Sequence, residues 1–376
     1  MKEPAYPAAR LVAARLEKEF ARHRAASGVR PDVGPQPEAA AMEAVIDAAF
    51  WASLRQEEGY PPKISIVLLP PERAGRPLTL ERPLPLGPEV LTRLAPAVEN
   101  PGIHLGVWRG ERGLSVWGTT HSIPDLCFVV EVASPGLLVV KHPLRGESGK
   151  FLNVAVLEGE RIKIVDEQAD RMARGSSLFS CLLGSECPVD DGSPDVLLLL
   201  AVSMRAHRRG GSLLVVPDGD ASWTGSIKRP VPYAVSPPLD ELGELARQEP
   251  SARVEPGWPD ALPRAVDAVA GLTAVDGATL VTRSYRLLAF GATIHRREGW
   301  AEAERVLLSE PVEGAASSVV HPVELGGTRH TSAAQFVHDQ REAAALVASQ
   351  DGRFTVLAWS PSHEMVHAHR VEALLM

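Results

Sequence analysis

The apolar residues of this chain change their period at Pro61-Pro62, and few folds accommodate that change. Before it, Val12, Leu16 and Phe20 recur at helical spacing within Ala8 to Arg22. Met42, Val45, Ile46, Ala49 and Phe50 do the same within Glu38 to Leu54. Ser27 to Pro37, with Gly and Pro, reads as the loop between two helices. After Pro62 the apolar runs have strand length: Ile64 to Leu69, Ile103 to Trp108, Leu114 to Thr119, Phe128 to Val132 and Leu137 to Val140. Arg109-Gly110-Glu111-Arg112-Gly113 joins two of them as a hairpin, and a second hairpin pairs Asn153 to Leu157 with Arg161 to Val165 around Glu158-Gly159. Helices followed by strands on tight turns predict an α+β domain whose sheet is antiparallel.

Composition shifts again over Gln168 to Asp195, where Gly, Ser, Pro and Asp190-Asp191-Gly192 collect. This predicts a boundary near residue 185, with one domain over 1–185 and a second over 186–376. The second reads as a helix from Val196 to His207, a strand from Ser212 to Val216, and a long irregular section from Pro230 to Pro263. A helix over Arg264 to Ala270 stopped by Gly271, strands Ala278 to Thr282 and Leu287 to Ile294, and a helix over Ala301 to Leu308 follow. A hairpin of Ala345 to Ser349 and Phe354 to Ala358 turns at Asp351-Gly352. Such an order predicts an α/β domain with a mixed central sheet flanked by helices, and no internal repeat is evident.

With 376 residues the chain has material for two cores, and 45% hydrophobic with 23% charged residues is a globular balance. Val196 to Val202 is too short an apolar run to span a bilayer, and the N-terminus carries charges where a signal peptide needs an apolar core, so the expectation is a cytoplasmic protein without membrane contact. A net charge of -8 argues against a nucleic-acid partner held by a basic surface, but leaves room for a local cationic pocket. Cys127, Cys181 and Cys187 make no disulfide framework, and the last two lack the second pair a zinc site needs.

Two short segments carry the chemistry. Asp276-Gly277-Ala278 lies where a turn feeds a strand, placing a carboxylate at the strand mouth beside a glycine that admits close approach. Gly327-Thr328-Arg329-His330 leads into a helix in which Ser332 and Gln335 have capping-box spacing and Ala333, Phe336 and Val337 form the buried stripe. A helix start carries unpaired N–H groups and partial positive charge, so a hydroxyl, a guanidinium and an imidazole beside it compose a phosphate cradle. An ordinary Asp-Gly turn and a solvated helix end are the plain alternatives.

Together with Ser349-Gln350, these segments resemble the diadenylate cyclase domain, which carries a DGA motif, a GTRHR motif and, in its DNA integrity scanning branch, a Ser-Gln pair. The helix from Val196, Arg208-Arg209-Gly210-Gly211 and the strand from Ser212 extend the resemblance over about half the chain. It implies that two ATP molecules condense to cyclic di-AMP between the protomers of a homodimer or higher oligomer, with Mg²⁺ or Mn²⁺. Asp276 would then hold the metal and orient the attacking hydroxyl, and Arg329 and His330 would hold phosphates. Gly277, Ala278, Gly327, Thr328, Thr331, Ser349 and Gln350 would form the nucleotide wall. Thr331 stands where the family has a second Arg, so the resemblance equally admits a sensor that binds an adenine nucleotide without turning it over.

The first half resembles the predicted sensor module DACNV, with Asn153-Val154 in the position of its namesake pair. Trp108 and Trp117 fall on adjacent strands, where packing is the ordinary role and stacking on a base the alternative; Lys150, Asn153 and Arg161 would be the polar counterpart. One rival motif remains: His363-Glu364-Met365-Val366-His367 matches HExxH, which on a helix presents two imidazoles to zinc and Glu364 as base. It lacks a well-placed third ligand, since His369 would leave that helical face, and a polar C-terminal helix is the plain reading.

Overall fold

The computed structural model describes residues 4–27, 33–56, 59–110, 113–144, 151–165, 195–248, 253 and 258–375. Two compact units divide the chain at Glu167/Gln168. The expected boundary near residue 185 lies outside the described residues, as do Lys150, Cys181 and Cys187.

In the first unit, α1 (Pro7–Ser27) and α2 (Ala39–Ser53) bury the stripes that their spacing predicts, with Leu16, Met42, Val45, Ile46 and Ala49 fully enclosed. Their partners are Ile64, Ile66, Leu105, Val107, Val130, Val132, Leu138 and Val140 of the sheet, which complete one core. Eight strands form that sheet: β1 (Ile64–Leu68), β2 (Leu78–Pro85), β3 (His104–Gly110), β4 (Gly113–Thr120), β5 (Val129–Ser134), β6 (Leu137–Pro143), β7 (Phe151–Glu158) and β8 (Arg161–Ile164). Their order is β2-β4-β3-β1-β5-β6-β7-β8.

The sheet is mixed, and this corrects the antiparallel expectation: β1 runs parallel to β3, with Ile66 opposite Leu105 and Leu68 opposite Val107. A parallel neighbour needs a crossover of a dozen or more residues, and the stretch between Leu68 and His104 supplies it through β2 and α3 (Pro88–Leu94). Neither element has a clean sequence signal, because β2 contains Pro83 and Pro85. Proline is tolerated there because β2 is an edge strand whose register shifts between Thr79 and Leu84. Trp117 is core, its Nε1–H donating to Leu69 O at 2.7 Å. Asn153, buried on β7, and Arg161, exposed on β8, lie several strands away and form no common face with the tryptophans.

The second unit begins its described part with α4 (Val196–Ala206), capped by Asp195, whose carboxylate accepts from Leu198 N. Its strands are β9 (Gly211–Val216), β10 (Tyr233–Leu239), β11 (Ala278–Thr282), β12 (Leu287–Ala292), β13 (Val306–Ser309), β14 (Ser318–Val320), β15 (Ala344–Ala348), β16 (Phe354–Ser360) and β17 (Met365–Arg370). Three helices accompany them: α5 (Glu241–Ala246), α6 (Trp258–Leu272) and α7 (Thr328–Asp339). The order is β10-β12-β11-β9-β15-β16-β17-β13-β14, a mixed sheet as expected.

Several local expectations are overturned. Pro230 to Pro263 is not irregular throughout, since it holds β10, α5 and the start of α6, which carries Pro263 inside it. Ala301 to Leu308 forms no helix. Val306, Leu307 and Leu308 instead pair with Val366, His367 and Ala368, so sheet pairing outweighs the helical propensity of the preceding Ala and Glu residues. The segment from Met365 is likewise a strand, not a helix.

A repeat that is not evident in the sequence is present at the level of topology. The series β10-β12-β11-β9-β15-β16-β17 repeats β2-β4-β3-β1-β5-β6-β7, with the parallel pair β9/β11 in the place of β1/β3. Every other neighbouring pair in both series is antiparallel.

Candidate functional site

A cleft of about 720 Å³ opens at the mouth of β9 and β11 in the second unit. Asp276, Gly277 and Ala278 enter it from the turn that closes α6, Thr328, Arg329 and His330 from the first turn of α7, and Ser349 from the end of β15. Two segments far apart in sequence therefore line one cleft.

Gly277 has φ +97, and a Cβ there would lie 2.5 Å from the carbonyl carbon of Gly291, itself at φ +64. It is thus the backbone of β12 that Gly277 admits. A Cβ on Gly291 would in turn meet the Tyr233 ring at 2.7 Å. This glycine pair seats Tyr233 at the cleft wall, stacked on Phe290 with centroids 4.8 Å apart. Ala278 pairs in register with Ser212 and Ala292, so the floor consists of small residues. The Asp276 carboxylate is exposed and has no hydrogen-bond or ion-pair partner among the described residues.

On the opposite wall, α7 starts earlier than its Ser332-Gln335 spacing predicts. Gly327 is the N-cap and no side chain caps it, which leaves the helix start open toward the cleft. Ser332 Oγ donates to Thr328 O at 2.7 Å, while Gln335 Nε2 donates to Ala301 O at 3.1 Å and its Oε1 accepts from Ala303 N at 2.9 Å. Those two residues fasten the helix and do not cap it. Arg329 is half-buried, without an acceptor or carboxylate among the described residues. Its Nη1 would lie 3.0 Å from a Cβ on Gly210, which at φ +70 favours glycine for a second reason.

His330 behaves differently from a charged phosphate donor. It is buried, its Nε2 lies 3.3 Å from Thr355 Oγ1, and a Cβ on Gly326 would strike its Nδ1 at 2.6 Å. Burial first, and the positive charge of Arg370 second, lower its pKa to about 4, so at neutral pH it is an uncharged ring that anchors the helix start to β16. Arg329 is accordingly the one cation lining the cleft among the described residues. Thr331 and Gln350 do not line it: Thr331 follows on the first turn of α7, and Gln350 donates from Nε2 to Arg209 O at 3.4 Å.

Tyr233 and Gly291 carried no signal in the sequence, and Gly210 was read only as part of the turn before β9. Tyr233 sits in a proline-rich stretch, and the two glycines matter only through what approaches them.

The HExxH reading fails on geometry. His363 and Glu364 occupy a turn, with Glu364 at φ +51, and His367 lies on β17. A strand places His367 and His369 on one face, and both come within 2.9 Å of Ser309 Oγ. Burial lowers His367 to about 4 and His369 to about 3. Among the described residues no group of three or more His, Cys, Asp or Glu side chains is placed to hold a metal ion. Nor is any described helix long and apolar enough to cross a membrane.

No curated protein matches the chain. A solved structure, titled the crystal structure of the hypothetical membrane spanning protein from Bacillus cereus, is similar at 12% identity and a TM-score of 0.27, over 46% of this chain. The chain spans 61% of the length of that protein, and likeness at this level carries no argument. Residues 31–121 match the family described as Probable sensor domain DACNV.

Proposed function

We propose that the cleft between Asp276 and Arg329 binds an adenine nucleotide, and that two copies of the chain condense two ATP into cyclic di-AMP. The observation that supports this most is the meeting, in one cleft, of an unpartnered carboxylate, an uncapped helix start and an unpartnered guanidinium. Free charges of opposite sign on facing walls suit a ligand with a hydroxyl at one end and phosphates at the other. The choice of adenine rests on the resemblance of Asp276-Gly277-Ala278 and Gly327-Thr328-Arg329-His330 to the diadenylate cyclase motifs.

In the reaction, the 3′-oxygen of one nucleotide bonds to the α-phosphorus held by the other protomer, and the bond from that phosphorus to the bridging oxygen breaks to release pyrophosphate. Asp276 accepts the hydrogen bond of the attacking hydroxyl, whose proton passes to solvent. The α7 N–H groups and Arg329 hold the phosphates, and the neutral His330 keeps the helix start in place. Positioning and charge neutralisation do most of the work in such a transfer. Asp276 is also the residue that would hold Mg²⁺ or Mn²⁺, which when bound supplies positive charge to the phosphates. A single carboxylate fits this role, because magnesium in nucleotide sites takes most of its ligands from phosphates and water.

Incubating the full-length protein with ATP and Mg²⁺ or Mn²⁺, and assaying cyclic di-AMP by mass spectrometry, tests this reading. Product is expected, together with its loss in Asp276→Asn. Nucleotide binding without product under either metal supports a second reading, a sensor that holds the nucleotide unreacted. That reading draws on Arg329 being the one cation lining the cleft among the described residues, since one absent charge-assisted contact weakens binding or turnover by about ten- to a hundredfold. Absence of both binding and product removes the nucleotide assignment altogether.

A further inference from the structure

The first unit holds a cleft of its own, about 340 Å³, at the carboxyl ends of the parallel strands β1 and β3. Crevices beyond the carboxyl ends of parallel strands are recurrent ligand sites, and the volume lies within the small-molecule range. Glu38, Ala41, Leu68, Trp108, Arg109 and Leu114 shape it, with residues 35–37 at its side. All of them fall within residues 31–121, the span that matches the probable sensor family. The end of this sheet that corresponds to the nucleotide cleft is closed, since His104 there lies 2.7 Å from Ser65 Oγ with its ring against Phe151.

The chemistry of the walls points to one class of ligand. Leu68, Ala41 and Leu114 make an apolar floor, and Trp108 presents a half-buried indole beside it. Trp117 spends its N–H on a backbone carbonyl, whereas the Trp108 N–H has no acceptor among the described residues. At the rim the Arg109 guanidinium pairs with Glu38, and both side chains are more than half exposed, at 58% and 61%. Exposed pairs of this kind are weak and exchangeable. Glu38 is also the N-cap residue of α2, yet its side chain makes no cap; Glu17 Oε1 accepts from Ala39 N instead, at 3.1 Å. Among the described residues Glu38 is the one carboxylate and Arg109 the one cation that line the cleft, and they are paired with each other.

We propose that this cleft is the ligand site of the sensor domain and takes a small aromatic acid. The ring lies against Trp108 over Leu68 and Leu114, and the acid replaces Glu38 on Arg109. Nothing in this assignment depends on the nucleotide cleft.

Calorimetric titration of the full-length chain with indole-3-acetate, indole-3-acetamide and tryptamine tests it, because the three probes share a ring and differ in charge. Indole-3-acetate is expected to bind, the amide about tenfold more weakly and tryptamine least. Arg109→Gln is expected to lower the affinity for the acid to that for the amide, and Glu38→Gln to raise it. Both positions are exposed, so circular dichroism should show the fold retained in each variant. The proposal is overturned by failure of all three probes to bind, by equal affinity for the three, by preference for tryptamine, or by acid binding that Arg109→Gln leaves unchanged.

Discussion

The two sheets of this protein share seven strands in one order, and they differ in what is placed at the mouth of the parallel pair. In register, Ser65 of β1 stands where Ser212 stands in β9, since Ile64 and Gly211 each pair with the strand that follows in the order, at Val132 and Ala348. The neighbour of Ser212 on β11 is Ala278, and the corresponding place on β3 belongs to His104, one residue before the Leu105 that pairs with Ile66. One sheet fills its mouth with an imidazole. The other keeps it open with small residues and faces it with a helix start. That helix comes from an insertion, because residues 121–128 link β4 to β5 directly while residues 293–343 carry β13, β14 and α7 between β12 and β15. Topology alone therefore does not make the cleft that we propose holds phosphates; the open floor and the inserted helix shape it.

Removing the anchor of the insertion gives the largest expected effect. Phe336 is fully buried and packs α7 into the core with Leu280, Ala345 and Leu357. Phe336→Ala should cost the second unit about 3–5 kcal/mol, as deletion of a large core aromatic does. Hydrogen exchange followed by mass spectrometry should show protection falling in β9, β11 and β15, with β1, β3 and β5 unchanged. Retained protection in β9, β11 and β15 would mean that the inserted helix is a graft on a sheet that holds without it, as the first sheet does.

How far the sequence discloses this contrast depends on the kind of signal. Segments with clean period were legible: α1, α2, β1, β9, β11 and the β15/β16 hairpin lie within a few residues of their expected bounds. Asp276, Thr328 and Arg329 stood out as candidates because each belongs to a short polar segment at the edge of an apolar run, and the structure brings the three to one cleft. The two edge strands β2 and β10 were not, because proline breaks the strand pattern and only an edge position makes it tolerable. Tyr233 was lost with β10. The parallel pairing of β1 with β3 was hidden for the same reason, since it requires β2 and α3 to be seen as a crossover. Ala301 to Leu308 misled because local helix propensity yields to pairing with β17. The repeat left too few shared residues to read by eye, although Ser65 and Ser212 each open an apolar strand that ends before a proline, Pro70 or Pro217.

A smaller effect tests whether the open mouth is built around Arg329. Gly210 and Gly102 both have positive φ, at +70 and +84, yet a Cβ on Gly210 meets Arg329 whereas one on Gly102 meets nothing within 4 Å. Each change to Ala should cost about 1–2 kcal/mol through backbone strain. Only Gly210→Ala should also displace the guanidinium, lowering affinity for ATP by about tenfold, in line with loss of one charge-assisted hydrogen bond. Equilibrium binding by fluorescent ATP analogue separates the two. Equal affinities for the variants would show that Arg329 does not face the phosphates.

An effect absent at neutral pH concerns two imidazoles, His104 of the first sheet and His330 of the second unit. Burial first, and Lys141 second, lower His104 to about 4; burial first, and Arg370 second, lower His330 to about 4. A free histidine titrates near 6.5, so between about pH 6.5 and 4 the unfolded chain binds a proton at each site that the folded chain does not. Stability from these rings is therefore fully present above about pH 6.5 and lost as pH falls toward 4, at up to about 1.4 kcal/mol per pH unit for each. His104→Gln and His330→Gln should each flatten the acid limb of the stability curve of their own unit, measured by hydrogen exchange at β1 and at β9 between pH 7 and 4.5. His104 is the more informative site, because its ring meets Ser65 and Phe151 and anchors no helix start. A slope that His330→Gln flattens and His104→Gln does not would mean that the first mouth admits water, and that the two sheets differ less than their side chains suggest.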